Sequence, residues 1–186
     1  MNQKEVIVLT GFMGSGKSAV GRTLAGKLGK PFRDLDNEIE KGEHLSIPEI
    51  FTVGGEPHFR KLELQYLKGL LTERPMVIAL GGGALQQEAV RALVKQAGVL
   101  VYLNVPEEVL VQRLKNDKKR PLIRDKHGHL LSEAALREKV STLLDQRKPL
   151  YRNADYQINV KPEWEKHETA NEIIRVLKKY ASASTS

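Results

Sequence analysis

The sequence contains no cysteine. That excludes disulfides, thiolate catalysis and cysteine-ligated zinc. Aromatic residues make up only 5%, too few to alternate with basic residues as the stacking platforms of single-stranded nucleic acid do. Long hydrophobic runs are missing too: stretches such as Met76-Val77-Ile78-Ala79-Leu80 fall far short of the roughly 20 residues of a membrane span. The basic start leads into a strand rather than a signal sequence, so a cytoplasmic location is expected. Acidic residues are outnumbered, 23 Asp and Glu against 30 Lys and Arg, for a net charge of +7. The basic residues are dispersed, and their densest run spans 115–124. Anionic small molecules account for this charge as well as a polynucleotide does, so neither a nucleic acid nor a membrane is the expected partner.

What is present is a chain of 186 residues, 40% hydrophobic and 28% charged, enough for one domain around one core. The motif Gly11-Phe12-Met13-Gly14-Ser15-Gly16-Lys17-Ser18 fits G-x-x-x-x-G-K-[ST] at every fixed position. Before it, Val6-Ile7-Val8-Leu9-Thr10 reads as a buried strand; after it, Val20, Leu24 and Leu28 recur at helical spacing up to Gly29. Strand, glycine loop and helix together form a phosphate cradle, where backbone N–H groups and the positive helix end meet an anion. Lys17 is expected at the β- and γ-phosphates of a nucleoside triphosphate and the Ser18 hydroxyl on Mg²⁺. The alternative, a glycine-rich turn that binds nothing, has the flanking elements against it.

Further short apolar runs at 31–36, 76–80, 99–103 and 156–160 alternate with amphipathic segments. This predicts an α/β fold in three α/β/α layers, with a central parallel sheet of five strands. Ser46-Ile47-Pro48-Glu49 is a capping-box pattern for a short helix ending at Gly54-Gly55, and Phe59, Leu62, Tyr66 and Leu70 mark one face of a longer one. Val90, Leu93, Val94 and Ala97 stripe a helix stopped by Gly98; Pro106 suits the first turn of the next. Ser132 is expected to cap a helix that Pro149 ends, Ile173, Ile174 and Leu177 face the core from the last helix, and 181–186 reads as a frayed tail. The polar, basic segment 117–130, with Pro121 and Gly128, is expected to be a mobile lid.

Beyond the cradle the residues leave alternatives open. No aspartate closes the run 76–80, so the metal-side carboxylates are sought at Asp34 and Asp36. On a strand the two would share one side, one serving the metal shell and the other an acceptor hydroxyl. Equally, Asp36 before Asn37-Glu38-Ile39 would make a helix N-cap, and spacing alone does not choose. Gly81-Gly82-Gly83 is either a flexible turn or a site of close ligand approach. Arg60 has Glu56 and Glu63 at helical spacing as surface partners, and Arg147 suits a helix C-terminus. Arg120 reads equally as a solvated lid charge, and His127 and His129 as a solvated turn rather than a metal site.

Taken together, these stretches resemble shikimate kinases of the nucleoside-monophosphate-kinase-like P-loop family. The resemblance runs from Val6 to about Val160. It is carried by residues 11–18, Asp34-Leu35-Asp36, Gly54-Gly55-Glu56 with Phe59-Arg60, Leu80-Gly81-Gly82-Gly83, Arg120-Pro121-Leu122 and Arg147-Lys148-Pro149-Leu150-Tyr151. It implies one P-loop kinase domain over 1–186, with a substrate-binding helical segment at about 37–70 and the lid at 117–130. The implied reaction is transfer of the γ-phosphate of ATP to the 3-hydroxyl of shikimate, a step of chorismate and aromatic amino acid biosynthesis, by a monomer using one Mg²⁺ per ATP. The resemblance makes Asp36 the base, and Asp34 a support of Mg²⁺ through water. Arg60 and Arg147 become the clamp on the shikimate carboxylate, with Gly81, Gly82 and Gly83 at its hydroxyls. Gly14, Ser15, Gly16, Lys17, Ser18 and Ala19 hold ATP, Arg120 reaches its phosphates from the lid, and Arg113 lies beside adenine. Gluconate-type kinases of the same fold and a non-catalytic nucleotide-binding regulator are the rival readings. The sequence departs from the family pattern in two places: Pro162-Glu163-Trp164-Glu165 fills the adenine loop, and Lys126-His127-Gly128-His129 lengthens the lid.

Overall fold

In a computed structural model of the chain, residues 6–73, 75–116 and 128–183 are described, the side chains of 116 and 180–183 excepted. Among these residues five parallel strands are ordered β2-β3-β1-β4-β5. They are β1 (Val6–Thr10), β2 (Phe32–Asp34), β3 (Met76–Ala79), β4 (Gly98–Asn104) and β5 (Tyr156–Asn159). Every residue of β1 and β3 is buried, which is why both read as unbroken apolar runs instead of alternating ones. Among the described residues seven α-helices fill the outer layers: α1 (Lys17–Leu28), α2 (Leu35–Glu43), α3 (Ile47–Leu70), α4 (Glu88–Ala97), α5 (Glu107–Asn116), α6 (Glu133–Tyr151) and α7 (Lys166–Ala183). α1 packs on α7, α2 on α3 and α5 on α6.

Consecutive strands diverge from β1, with β3 on one side and β4 on the other. A crevice therefore opens beyond the carboxyl end of β1, where doubly wound sheets hold their ligands. The glycine loop starts there. Gly16, at φ 89°, is the N-cap of α1, a left-handed conformation that side chains disfavour.

Several expected boundaries move, each for a physical reason. The strand expected over 31–36 stops at Asp34; Leu35 already begins α2, and Asp34 is its N-cap, accepting from the Asn37 N–H at 3.4 Å. The cap is thus Asp34 and not Asp36, and the two carboxylates do not share a strand face. α4 does stop at Gly98 as expected, though in an extended and not a left-handed conformation; Gly98 also opens β4, where a β-carbon would lie 2.4 Å from the Val6 carbonyl oxygen. Pro106 lies just ahead of α5, its carbonyl accepting from Leu110 N–H. Pro149 does not end α6, which runs on to Tyr151; a proline this close to the C-terminus forfeits only one hydrogen bond near the end of the ladder. α7 continues to Ala183, into the tail expected over 181–186, whose last three positions lie outside the described residues.

Other expectations hold. The Ser46 N–H donates to Glu49 at 2.7 Å in the capping box of α3. Gly55 (φ 69°, ψ −176°) divides α3 into the two expected segments. Ser132 caps α6 through Ala135 N–H at 3.2 Å. Gly29, at φ 61°, ends α1. Most of the lid, with Arg120, Pro121 and His127, lies outside the described residues.

Candidate active site

The cradle is built by the turn from β1 into α1. Gly11, Gly14 and Gly16 all have positive φ, and the Ser15 N–H closes the loop onto the Phe12 carbonyl at 3.1 Å. Because α1 begins at Lys17, the N–H groups of Lys17, Ser18 and Ala19 have no carbonyl partner within the helix and point out of its positive end. The Lys17 ammonium lies along the loop, donating to the carbonyls of Gly11 (2.8 Å) and Phe12 (3.0 Å). Arg113 reaches across from α5 and donates through Nη1 to the Gly14 carbonyl at 3.2 Å.

Ser18 Oγ hydrogen-bonds Asp34 Oδ2, so the cradle hydroxyl and the α2 cap meet as two hard oxygen donors. That donor chemistry fits Mg²⁺. Two residues on, in the first turn of α2, Asp36 turns to a different neighbourhood. Its Oδ1 is buried with no hydrogen-bond partner among the described residues, and it lies against Gly81. Burial, then the nearby charges of Asp34 and Glu63, push the Asp36 carboxyl up from 3.8 to about 6, with Lys17 pulling the other way. A carboxylate that is short of donors and poised near neutrality is suited to accept a proton.

The glycine triplet is the floor between the remaining residues. A β-carbon at Gly82 would meet Arg147 Nη1 at 3.4 Å, and one at Gly83 would meet Arg60 Nη2 at 2.7 Å. The two arginines therefore flank one strip of backbone, from α6 and α3. Their surroundings differ. Arg147 does not sit on the surface at the end of α6: its guanidinium stands 5.5 Å from the Phe12 ring centroid. Its Nε and Nη1 are buried without hydrogen-bond partners among the described residues. Tyr151, one turn later, donates its hydroxyl to the Gly82 carbonyl at 3.0 Å.

Arg60 makes the pairs its spacing predicts, to Glu56 Oε1 through Nε (3.1 Å) and Nη2 (3.0 Å) and to Glu63 Oε2 through Nη1 (2.5 Å). These are not all surface pairs, however, because the Glu63 side chain is 1% exposed. Burial pushes the Glu63 carboxyl up while Arg60 and Gln87 pull it down. Pattern reading took Glu63 only for a surface partner of Arg60, not for a buried neighbour of the site. The signal was there: Phe59, Leu62, Leu67 and Leu70 are buried, and 63 fills the i+4 slot of that stripe. An acidic residue at a core position needs a built-in partner.

The family model described as shikimate kinase matches residues 13–178. The shikimate kinase of Prosthecochloris aestuarii is 41% identical over 181 residues, covering 97% of this chain and 91% of its own. The structure of shikimate kinase from Acinetobacter baumannii in complex with shikimate superposes with a TM-score of 0.84 at 38% identity, covering 94% of this chain and 93% of that one. A gluconokinase structure from Sinorhizobium meliloti, at 22% identity and a TM-score of 0.57 over 97% of this chain and 95% of that one, shares the fold alone.

Proposed function

Because the chain belongs to the shikimate kinase family, we propose that it transfers the γ-phosphate of ATP to the 3-hydroxyl of shikimate, releasing ADP and shikimate 3-phosphate. The observation that carries this reading is the convergence on Gly81–83 of a donor-poor carboxylate, Asp36, and a partner-poor guanidinium, Arg147. A hydroxylated carboxylic acid lying along that strip would satisfy both, with its carboxylate at Arg147 and a ring hydroxyl at Asp36. Arg60 closes the other side of the clamp, and the glycines let the sugar-like hydroxyls approach backbone. Planar carboxylates suit such guanidinium forks.

In this arrangement the residues from Gly14 to Ala19 cradle the phosphates, and Arg113 lies beside the adenine. Ser18 and, through water, Asp34 would hold Mg²⁺, which would supply positive charge beside the β- and γ-phosphates. Lys17 exchanges its loop carbonyls for phosphate oxygens, and Arg120 meets the same group from the lid. Asp36 takes the proton of the acceptor hydroxyl, whose oxygen bonds to the γ-phosphorus as the bond to the β-phosphate oxygen breaks. Anchoring the acid at its far end aims that hydroxyl.

The whole of 1–186 then acts as one P-loop kinase domain, with 37–70 holding the acid. It works as a cytoplasmic monomer; among the described residues no helix is long and apolar enough to cross a membrane. A coupled assay of ADP release across shikimate, quinate, gluconate and nucleoside monophosphates tests the assignment. Turnover is expected with shikimate, and preferential turnover of gluconate or a nucleotide would overturn it.

A further inference from the structure

The carboxylate that pairs with Arg60 has a second donor. Glu63 Oε2 accepts from Arg60 Nη1 at 2.5 Å and also from Gln87 Nε2 at 3.0 Å. Gln87 stands at the joint between the 3₁₀ turn Ala84–Gln86 and α4. Its backbone is pinned on both sides: the N–H donates to the Ala84 carbonyl at 3.2 Å, and the carbonyl accepts from Arg91 N–H at 3.2 Å. The turn is fastened in the same way to the glycine strip, with Ala84 N–H on the Gly81 carbonyl and Gln86 N–H on that of Gly83. Position 87 is the N-cap of α4, yet its side chain makes no capping bond. Glutamine is not among the residues that cap well. The side chain spans to α3 instead.

We propose that Gln87 is a positioning residue of the carboxylate clamp, holding Glu63 so that Glu63 presents the guanidinium of Arg60 over Gly83. This deepens the reading above and rests on the role given there to Arg60. The physical need comes from the last torsion of a glutamate, which is broad and roughly two-fold. Glu63 Oε1 is buried without a hydrogen-bond partner among the described residues, so it does not restrain that rotation. A donor fixed on a different element distinguishes the two oxygens. With it, the Arg60 fork is registered to the same backbone unit that carries the glycine floor. Without it, Glu63 turns, and Nη1, the corner of the fork that Glu56 does not hold, loses its fixed place above the strip.

The test uses Gln87→Ser and Gln87→Leu in the full chain. Serine is a better N-cap than glutamine but too short to reach Glu63, so it separates capping from positioning. For Gln87→Ser the better cap should offset part of the lost bond to Glu63, so the melting temperature should fall only slightly; the KM for ATP should not change, and the KM for shikimate should rise about tenfold. Gln87→Leu should show the same split in KM. In the substrate-free protein labelled with ¹⁵N at arginine, the Arg60 guanidinium resonances should shift or broaden in both variants. Unchanged Arg60 resonances, an unchanged KM for shikimate, or an equal rise in both KM values would overturn the proposal. Should the wild-type protein fail to phosphorylate shikimate, it is the proposed function that falls; the Arg60 resonances then decide the Gln87 link alone, a shift supporting it and no shift overturning it.

Discussion

A β-carbon placed on Gly81 would lie 2.5 Å from Asp36 Oδ1 and 3.0 Å from Glu63 Oε1. The glycine is therefore demanded by space, since two carboxylates from α2 and α3 close over it. Gly81→Ala should push Asp36 out of line with the acceptor. Turnover is expected to drop on the order of 10²-fold, as for a displacement of about 1 Å in a reacting group, with ATP binding retained. Steady-state kinetics beside nucleotide titration checks it, and normal turnover would show that Asp36 is not the base.

Asp36→Asn removes the proposed base and should cut turnover by roughly 10²–10⁴-fold, with no recovery as Mg²⁺ is raised. Asp34→Asn, next to Ser18, should recover part of its lost rate under the same titration. Rescue of the Asp36 variant instead would reverse the two roles.

The raised carboxyl of Asp36 also has a stability consequence. A carboxyl whose folded value, about 6, exceeds its unfolded 3.8 favours the fold while protonated, and that contribution is lost as pH rises through 6. At pH 7–8 Asp36→Asn should therefore be more stable than the wild type, by roughly 1–3 kcal/mol, and the difference should vanish below about pH 4. In the wild type, kcat/KM should fall as pH drops through about 6. Thermal melts and rate profiles across that range measure both effects.

Arg60 and Arg147 should separate in the same way. Both alanine variants should raise the KM for shikimate and leave that for ATP alone. Arg60→Ala also strands the buried Glu63 and should destabilise the fold by about 3–5 kcal/mol. Arg147→Ala removes a guanidinium with two unsatisfied buried nitrogens, so its melting temperature should hold or rise. Equal destabilisation by the two would contradict this contrast.

Lys17→Ala should abolish phosphoryl transfer in a folded protein, because its ammonium is the cation the cradle itself supplies. Near-normal turnover would remove Lys17 from the proposed mechanism.

Local chemistry was what the sequence made legible. The glycine loop, the fully buried strands and the caps at Ser46 and Ser132 each depend on a few neighbouring residues, and each stands where pattern reading put it. What depends on distant packing was harder to read. Asp34 and Asp36 could not be told apart because the strand ends between them, and that end is set by pairing of β2 with β3 up to Ala79. Glu63 passed as a surface charge because its Gln87 partner lies 24 residues away. Arg147 passed as a helix-end cation because nothing local reveals Phe12 beneath it.

The break at Gly55 has a bearing on how such a protein diversifies. Asp34 ends β2 and Asp36 lies two residues on, while Lys17 and Ser18 open the helix that the glycine loop joins to β1; Arg60 instead rides on a segment that Gly55 uncouples from the start of α3. In the proposed division of labour, the machinery for moving a phosphoryl group is inherited with the sheet. Changes after the break, in the half of α3 that carries Arg60, can then retune which acid is accepted while the phosphoryl chemistry stays intact. Libraries aimed at new acceptors belong in that half-helix, with the strand ends left alone.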